Sequence, residues 1–236
     1  MQPEQQRVAS CADWYLHRQL DFDRRLIEYR FRTIQPWLPG GVGLELGPAE
    51  GHMTALLQPE FLQLTVVDGA AELLERIPDD AALNKVCALF EDYQPDRGFD
   101  AIVMEHILEH VADPADLLAR VARWLNPGGR LFVGVPNGHS LHRLAAVKMG
   151  LLEHPCQLNE RDLRIGHRRV YTPDSFRREI ENTGLVIRHF GGVFLKPLSN
   201  AQIEQHWDEA MMEGFYQLGK DMPEYAAELY AVCEAA

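Results

Sequence analysis

Two glycines and a carboxylate carry the clearest chemical signal in this chain. Gly47 and Gly51 follow an apolar run in the sequence LELGPAEGHMT, and Asp68 ends the next apolar run, LTVVD. Glycines allow a sharp turn and a close approach of backbone to ligand, and a carboxylate at the tip of the second strand accepts hydrogen bonds from ribose hydroxyls. The pattern predicts the first half of a nucleoside-binding βαβ unit.

The same stretch indicates which nucleoside is bound. A dinucleotide fingerprint, G-x-G-x-x-G, that begins at Gly47 would place Ala49 and His52 at its second and third glycines, and His52 is too bulky for close contact between strand and helix. A pyrophosphate site is therefore disfavoured. Glu45, inside the first strand, would repel phosphate but suits the ammonium and sulfonium charges of S-adenosylmethionine.

Two further motifs complete a family resemblance. FDAIVMEHILEHVADP begins at Phe99, and LNPGGRLFVGVPN begins at Leu125. Together with the first motif, and in this order, they resemble the class I S-adenosylmethionine-dependent methyltransferases over residues 41–192. The first motif of that family is E/D-x-G-x-G-x-G. This chain has alanine at the second glycine of that motif and keeps its other residues, Glu45, Gly47 and Gly51. The resemblance implies S-adenosyl-L-methionine as the cofactor.

The resemblance also implies cofactor contacts for residues that follow the strands. Phe90 and Glu91 match family positions around the adenine ring, and Glu105 with His106 match positions near the methionine moiety and the transferring methyl. Ordinary alternatives stay open, with Asp68 as an N-cap of the next helix, Phe90 as a core side chain and Glu91 as a solvated one. The predicted cofactor-binding set is Glu45, Gly47, Gly51, Asp68, Phe90, Glu91 and Glu105.

Histidines are the candidate catalytic bases, because methyl transfer often needs a base and histidine titrates near neutral pH. We predict His106 first, at the end of the fourth strand, then His167 and His139, which lie in a segment expected to cover the site. We expect its run GHRRVYTP to face the pocket. This basic cluster predicts a surface for an anionic or polar acceptor, with a solvated loop as the alternative: His139, His142, Arg143, His154, His167, Arg168, Arg169 and Tyr171.

A metal site is the sharper interpretation of one motif. Glu105, Glu109 and His110 form E-x-x-x-E-H, which resembles the metal-binding pattern of ubiquinone-pathway O-methyltransferases. Oxygen and nitrogen ligands on one helical face could hold a divalent ion that lowers the pKa of a catechol hydroxyl. Residues in this sequence pattern more commonly serve in helix capping and packing. We predict that the chain needs no metal.

Strands and helices that alternate along the chain must position these residues. Apolar runs predict strands at residues 42–46, 63–67, 85–88, 100–104 and 130–135, with helices at 51–58, 69–77 and 113–124. Such alternation indicates an α/β fold with a parallel, Rossmann-like doubly wound sheet. The family resemblance implies seven strands, the last of them antiparallel.

We predict a single methyltransferase domain over residues 1–236. Its parts are a helical cap at 1–40, a core at 41–198 with a helical insertion at 137–170, and C-terminal helices at 199–236.

The end of the chain supplies its own signals. Thr172-Pro173 predicts a helix start and Gly184 predicts its stop, which gives a helix over residues 174–183. Gly191-Gly192 predicts the turn of a terminal hairpin. That hairpin is expected at residues 185–190 and 193–195, followed by amphipathic helices at 201–218 and 223–233.

Composition excludes some classes of partner. The chain has 236 residues and a net charge of −12, and an acidic surface argues against nucleic acid or anionic membrane as the main partner. We expect a small-molecule acceptor, no nucleic acid and no membrane, and we leave a homodimer open. Cysteines without a C-x-x-C pair predict reduced thiols in a cytoplasmic protein, at Cys11, Cys87, Cys156 and Cys233.

These observations favour a methyltransferase that acts on a nitrogen or oxygen atom of a small molecule, in secondary-metabolite or cofactor biosynthesis. One rival is a nicotinamide-dependent oxidoreductase on the same architecture, which His52 disfavours. Another is a non-catalytic S-adenosylmethionine-fold subunit that uses its C-terminal helices as an interface. The acceptor pocket lies in the most variable parts of such folds, so the acceptor stays unnamed.

Overall fold

A seven-stranded sheet organises residues 21–236, which are the residues described by the computed structural model. Its spatial order is β3-β2-β1-β4-β5-β7-β6. The first five strands run parallel, and β7 lies antiparallel between β5 and β6. The strands are β1 Val42–Leu46, β2 Gln63–Asp68, β3 Leu83–Cys87, β4 Phe99–Glu105, β5 Leu125–Pro136, β6 Leu185–Val193 and β7 Glu228–Ala235.

Helices flank the sheet and precede it. The described α-helices are α1 Asp21–Ile34, α2 His52–Leu57, α3 Ala71–Leu74, α4 Pro114–Trp124, α5 Leu141–Lys148, α6 Glu160–Arg164, α7 Pro173–Glu181, α8 Asn200–His206 and α9 Glu209–Asp221. None of the helices within residues 21–236 combines the length and apolarity that a bilayer crossing requires. The part of the predicted N-terminal cap before residue 21 lies outside the described residues.

Two cores, one on each face, hold the sheet between its helices. Along β1, Leu44 and Leu46 pack into one core, and along β2 Leu64 and Val66 pack into the other. Side chains of a strand alternate between faces, so strands buried on both sides appear in sequence as continuous apolar runs. This explains why the sequence pattern found β1, β2 and β4 within one residue of their observed bounds, whereas β5 begins five residues before its predicted start.

The sheet order fixes where ligands can bind. Strand β1 pairs with β2 on one side and with β4 on the other, so the chain reverses direction across the sheet at this point. Ligands of open α/β sheets bind in the crevice at the carboxyl ends of strands beside such a switch point. The predicted cofactor residues lie in the last residues of β1, β2 and β4 or in the segments that follow β1 and β3.

The predicted start of the helix after the insertion is confirmed. Thr172 is the N-cap of α7, with its side chain accepting from the backbone N–H of Ser175 and the Ser175 side chain closing the capping box. Pro173 occupies the first turn, where its missing N–H costs nothing. Gly184 follows the helix with a φ of 78°, a conformation that glycine adopts readily.

The predicted terminal hairpin and the last predicted helix are wrong. Residues 185–193 form one strand, β6, in which Gly191 and Gly192 pair with Tyr230 and Leu229 of β7. The segment predicted as a helix at 223–233 contains a short 3₁₀ turn, Pro223–Tyr225, and then β7. A short apolar run without polar alternation cannot be assigned by periodicity alone, because β7 is buried on both faces. The helix predicted at 201–218 is divided into α8 and α9.

Candidate active site

A cavity of about 730 Å³ lies at the carboxyl ends of the parallel strands. One end is lined by residues after β1, β2 and β3, and we call it the cofactor half. The other end, the acceptor half, is lined by α1, the insertion after β5, the segment after β6 and the start of β7. Residues at the end of β4, Glu105 and His106, also line the cavity, as the family resemblance implies for the place of methyl transfer.

The turn after β1 is left-handed at three places. The φ angles are 70° at Gly47, 47° at Ala49 and 80° at Gly51. Glycine adopts these angles readily, whereas an L-residue in this region costs about 1–2 kcal/mol. The alanine therefore keeps the tight turn of the motif at the expense of local strain.

Gly47 leaves room for two neighbours of the cavity. A Cβ atom at this position would collide with the side chain of Ile107 and would lie 3.6 Å from Cζ of Phe90. Both neighbours line the cavity, Ile107 after β4 and Phe90 after β3. A larger residue at position 47 would therefore fill the space that the backbone turn leaves open to a ligand.

Asp68 connects the end of β2 to the turn. Its Oδ1 accepts a hydrogen bond from the backbone N–H of Ala70 at 2.8 Å, and the backbone N–H groups of Ala49 and Gly69 also favour the charged carboxylate. Burial raises the pKa of Asp68 to about 6, against the effect of these bonds. The N-cap of α3 is Ala70, so Asp68 is not the cap that the alternative interpretation supposed.

Glu45 is a buried acid in the cofactor half. It is 3% exposed, and its Oε2 accepts a hydrogen bond from the Thr54 hydroxyl at 2.7 Å. Burial raises the pKa of Glu45 to about 8, with a smaller contribution from the charge of Asp68. A carboxyl group in this state gains its charge most easily when a cation arrives beside it.

Glu105 and His106 end β4 under unusual constraints. The register places Glu105 opposite Gly134 of β5, where a Cβ atom would collide with the Glu105 carboxylate. Burial raises the pKa of Glu105 to about 7, and Oε1 has no hydrogen-bond partner among the described residues. His106 has a φ of 57°, a strained angle for a non-glycine residue and one that clusters at functional sites.

A charge network joins α1, β7 and His106. The guanidinium of Arg30 makes two hydrogen bonds to Glu228, from Nε to Oε2 at 2.8 Å and from Nη2 to Oε1 at 3.2 Å. His106 Nε2 lies 3.2 Å from Oε1 of Glu228, close enough for an ion pair but without hydrogen-bond geometry. Burial and Arg30 oppose a charge on His106, but Glu228 and Glu109 outweigh them and raise its pKa.

The insertion is held together by a second buried network. Arg143 donates to the carbonyl of Pro155 at 2.8 Å and to Asp162 at 3.1 Å. Asp162 also faces His167, with Nδ1 and Oδ1 3.5 Å apart. Burial opposes the charge of Asp162, but His167, the Asn159 backbone and Arg143 lower its pKa to about 2. Arg143 and His167 therefore line the cavity while stabilising the insertion.

The GHRRVYTP run binds the loop after β4 through its arginines. Arg169 donates to the carbonyls of Leu108 and Val111, both at 2.6 Å, and Arg168 donates to the carbonyl of His110 at 2.8 Å. Of this run, His167 lines the described cavity and the two arginines do not. The expectation that the whole run faces the pocket is therefore wrong, and its arginines hold the loop that carries His106.

Three potential metal ligands converge beside this loop. The donor atoms of Glu109, His110 and His167 lie within 4.8 Å of one another. The Glu109 carboxylate is fully buried, and neither of its oxygens has a hydrogen-bond partner among the described residues. One carboxylate and two imidazoles suit a divalent transition metal. The structure thus groups His167, rather than Glu105, with the two residues of the sequence motif.

A methyltransferase domain family model matches residues 16–189, which is well over half of the chain. The chain belongs to the class I S-adenosylmethionine-dependent methyltransferase family. Its cofactor is S-adenosyl-L-methionine. Among solved structures, the N-methyltransferase NodS of Bradyrhizobium japonicum WM9 in complex with S-adenosyl-L-homocysteine aligns over 99% of this chain and 97% of its own, with a TM-score of 0.62 and 16% identity.

Other similar proteins agree on the fold. A Leishmania major S-adenosylmethionine-dependent methyltransferase aligns over 96% of this chain and 82% of its own, with a TM-score of 0.64 and 13% identity. The ubiquinone biosynthesis O-methyltransferase of Aeromonas salmonicida (strain A449) is 32% identical over 107 residues, 45% of this chain and 43% of that protein. The match to this curated relative therefore spans less than half of its length.

The cavity brings together most of the residues that the sequence singled out. The described lining includes these predicted residues: Glu45, Gly47, Asp68, Phe90, Glu105, His106 and His167. Gly51, Glu91 and His139 lie outside it. Gly51 acts as the N-cap of α2, and the Glu91 carbonyl accepts from Arg120. Their chain neighbours His52 and Phe90 line the cavity.

The charged residues of the acceptor half that sequence reasoning missed include Arg30, Lys196 and Glu228. Arg30 comes from α1, Lys196 follows β6, and Glu228 begins β7. No motif connects these three residues, which line one cavity in a sheet where β7 lies between β5 and β6. The sequence pattern of β7 predicts a helix. With a helix there, the sequence gives no reason to place Glu228 at the carboxyl ends of the parallel strands, where the first residue of antiparallel β7 lies.

Proposed function

We propose that this chain transfers the methyl group of S-adenosylmethionine to a nitrogen or oxygen atom of a small molecule. One observation carries the proposal: a single cavity joins the cofactor half to an acceptor half at the end of β4, where Glu105 and His106 lie. A volume of about 730 Å³ is in the range of pockets that bind small ligands.

Methyl transfer requires mainly that the acceptor and the methyl group are correctly positioned. The acceptor's lone pair attacks the methyl carbon in line, the bond from carbon to sulfur breaks, and the electron pair stays on sulfur as the neutral thioether. The acceptor's proton leaves to a base or to water. Proximity and orientation account for a large part of such a rate enhancement. In this proposal Glu45 and Asp68 hold the cofactor, and α1 with the insertion excludes water and orients the acceptor.

Names of similar proteins support a small acceptor without fixing its reactive atom. The Aeromonas salmonicida relative is an O-methyltransferase of ubiquinone biosynthesis, and NodS is an N-methyltransferase. Both atoms need the same in-line geometry, so the cavity suits either. A role in secondary-metabolite or cofactor biosynthesis belongs to the same proposal.

Calorimetric titration with S-adenosylmethionine and S-adenosylhomocysteine tests the proposal. Asp68→Ala should weaken both ligands about tenfold to a hundredfold, because charge-assisted hydrogen bonds to ribose are lost. Asp80→Ala is a matched control, since the Asp80 carboxylate makes the same kind of bond, to the Ala82 N–H at 2.7 Å, on an exposed loop. Affinity that is unchanged in Asp68→Ala would remove the cofactor assignment of this residue.

Mass spectrometry of the purified protein separates the rivals. A co-purified S-adenosyl compound supports the proposal, whereas a nicotinamide nucleotide supports the oxidoreductase. The non-catalytic alternative predicts cofactor binding without turnover across a panel of phenols, catechols and amines. Methylation of any of these, followed by release of S-adenosylhomocysteine, would exclude that alternative.

A metal-assisted O-methyl transfer is the second candidate, and it is favoured by the buried Glu109 carboxylate, whose oxygens have no hydrogen-bond partner among the described residues. Glu109, His110 and His167 would hold the ion, which would lower the pKa of an acceptor hydroxyl. The test is chelation followed by dialysis. Retained turnover supports metal-free transfer, the version predicted from sequence, and a loss that magnesium, manganese or zinc restores supports the second candidate.

A further inference from the structure

The acceptor half contains a buried lysine beside a histidine. Lys196, after β6, is 9% exposed, and both it and His142 of α5 line the cavity. The backbone N–H of His142 donates to the carbonyl of Lys196 at 3.1 Å, which fixes the two residues side by side. Lys196 Nζ donates to Oδ1 of Asn200 and lies 5.4 Å from the centre of the Phe22 ring. Its ammonium group is therefore positioned by neighbours on two sides.

His142 contributes an unused polar atom to this place. Its Nδ1 is buried and has no hydrogen-bond partner within residues 21–236. Buried polar atoms in folded proteins are nearly always bonded to protein, to ordered water or to a ligand. Since His142 lines the cavity, a bound ligand can supply that partner.

The electrostatic potential here favours a negative ligand. Burial, followed by the charges of Lys196 and Arg143, lowers the pKa of His142 to about 3, so its imidazole is neutral at pH 7. The carboxylates of the acceptor half have cations of their own, in the pairs Asp23 with Arg161, Asp162 with Arg143, and Glu228 with Arg30. The positive charges of Lys196 and Arg143 beside His142 contrast with the net charge of −12 of the whole chain.

We propose that Lys196 and His142 form a subsite for an oxyanion, a carboxylate or phosphate group carried by the methyl acceptor. The inference rests on the proposed function for calling that ligand the acceptor. Lys196 Nζ supplies a charge-assisted hydrogen bond, and His142 supplies Nδ1–H in its neutral form. Arg24 and Arg161 also line the cavity, but their side chains are 64% and 45% exposed and their charges are screened by solvent.

The test is a calorimetric titration of protein saturated with S-adenosylhomocysteine. The probes are benzoate, phenyl phosphate and neutral benzamide, which present different end groups on the same ring. We expect at least one of the anions to bind about tenfold or more tightly than benzamide. The ratio between benzoate and phenyl phosphate then identifies the preferred oxyanion.

Substitutions of Lys196 and His142 test whether these residues cause the preference for anionic probes. Lys196→Gln should abolish the preference for anions, and Lys196→Arg should retain part of it by keeping the charge. Lys148→Gln is the control, because Lys148 is an exposed lysine at the end of α5 and lies outside the described lining of the cavity. If Lys196→Gln does not fold, His142→Leu is the second variant, with an expected loss of about threefold to tenfold in anion affinity.

Three results overturn the subsite. They are equal affinity of the wild type for all three probes, no binding of any probe, and an anion preference that survives Lys196→Gln. Titrations repeated without cofactor separate this inference from the proposed function. Lys196-dependent anion binding in a protein that does not bind S-adenosylhomocysteine would support the subsite and contradict the proposed function.

Discussion

The pKa values of the carboxyl groups are raised in the cofactor half of the cavity and lowered in the acceptor half. In the cofactor half, burial raises the pKa of Glu45 to about 8 and that of Asp68 to about 6. In the acceptor half, Arg30 and His106 overcome burial and lower the pKa of Glu228 to about 2, and Asp162 is lowered similarly. The first half thus holds acids that lack a cation among the described residues, and the second half holds acids that already have one.

This contrast indicates how each half meets its ligand. Raised pKa values mean that burial disfavours the charged carboxylates of the cofactor half, and the ammonium, sulfonium and hydroxyl groups of the cofactor would favour them. Lowered values mean that Glu228 and Asp162 are already stabilised as carboxylates by cations of the acceptor half. Its remaining specificity then depends on Lys196 and His142, whose surroundings are positive.

The largest effect on cofactor binding is expected at Gly47, in the cofactor half. Gly47→Val should eliminate measurable binding of S-adenosylhomocysteine, because a side chain there collides with Ile107 and is strained at a φ of 70°. Gly128→Val is the matched control. Gly128 has a φ of 77°, but a Cβ added there would meet no described atom within 4 Å, so it shows the cost of strain without collision. Normal binding by Gly47→Val would mean that the turn after β1 does not contact the cofactor.

Catalysis should depend on the junction of the two halves. The ranking of His106, His167 and His139 stays a prediction. Because a general base contributes about 10²- to 10⁴-fold, His106→Asn should lower kcat at least about a hundredfold with cofactor affinity retained. His139→Gln should leave kcat within about twofold, since His139 lies outside the described lining. If neither these two variants nor His167→Gln lowers kcat by more than about tenfold, the reaction runs on proximity alone.

The pH dependence of cofactor binding tests the raised pKa of Asp68 in the cofactor half. If the charged form of Asp68 binds ribose, protonation below its pKa of about 6 should weaken S-adenosylhomocysteine about tenfold between pH 7 and pH 5. Asp68→Asn should remove this dependence. Calorimetry at several pH values gives the measurement, and an affinity independent of pH in the wild type would contradict the role of the carboxylate.

Stability should respond to Asp68 in the opposite direction. A carboxyl group whose pKa is raised by folding contributes stability that is complete below its unfolded pKa and is lost as pH rises through about 6. Without cofactor, Asp68→Asn should therefore gain stability relative to the wild type as pH increases from 4 to 7. Urea unfolding at each pH measures the difference in the free energy of unfolding.

The smallest effect is expected at Ala49. Ala49→Gly should raise the free energy of unfolding by about 0.5–1 kcal/mol, because glycine relieves the strain of a φ of 47° but loses more backbone entropy on folding. Thermal unfolding should shift upward by about 2–4 °C for a change near 1 kcal/mol in a chain of this size. A decrease would show that the alanine side chain has a packing role that outweighs its strain.

Much of the cofactor half could be predicted from sequence because its parts are local. Glu45, Gly47 and Asp68 lie within one strand-turn-helix-strand unit, whose geometry follows from glycine conformations and strand ends. The two apolar cores likewise followed from continuous apolar runs at the first five strands. Phe90 was placed by family resemblance, and its contact with the space above Gly47 needed the structure.

Tertiary structure alone decided the acceptor half. Arg30, Lys196 and Glu228 come from three distant segments, and they line one cavity in a sheet where β7 runs antiparallel between β5 and β6. The apolar run of β7 fits a helix and a buried strand equally well, and only pairing with both neighbours distinguishes them. The chain's sequence determined the nucleoside cradle through local backbone chemistry, whereas long-range strand pairing determined which charges surround the acceptor.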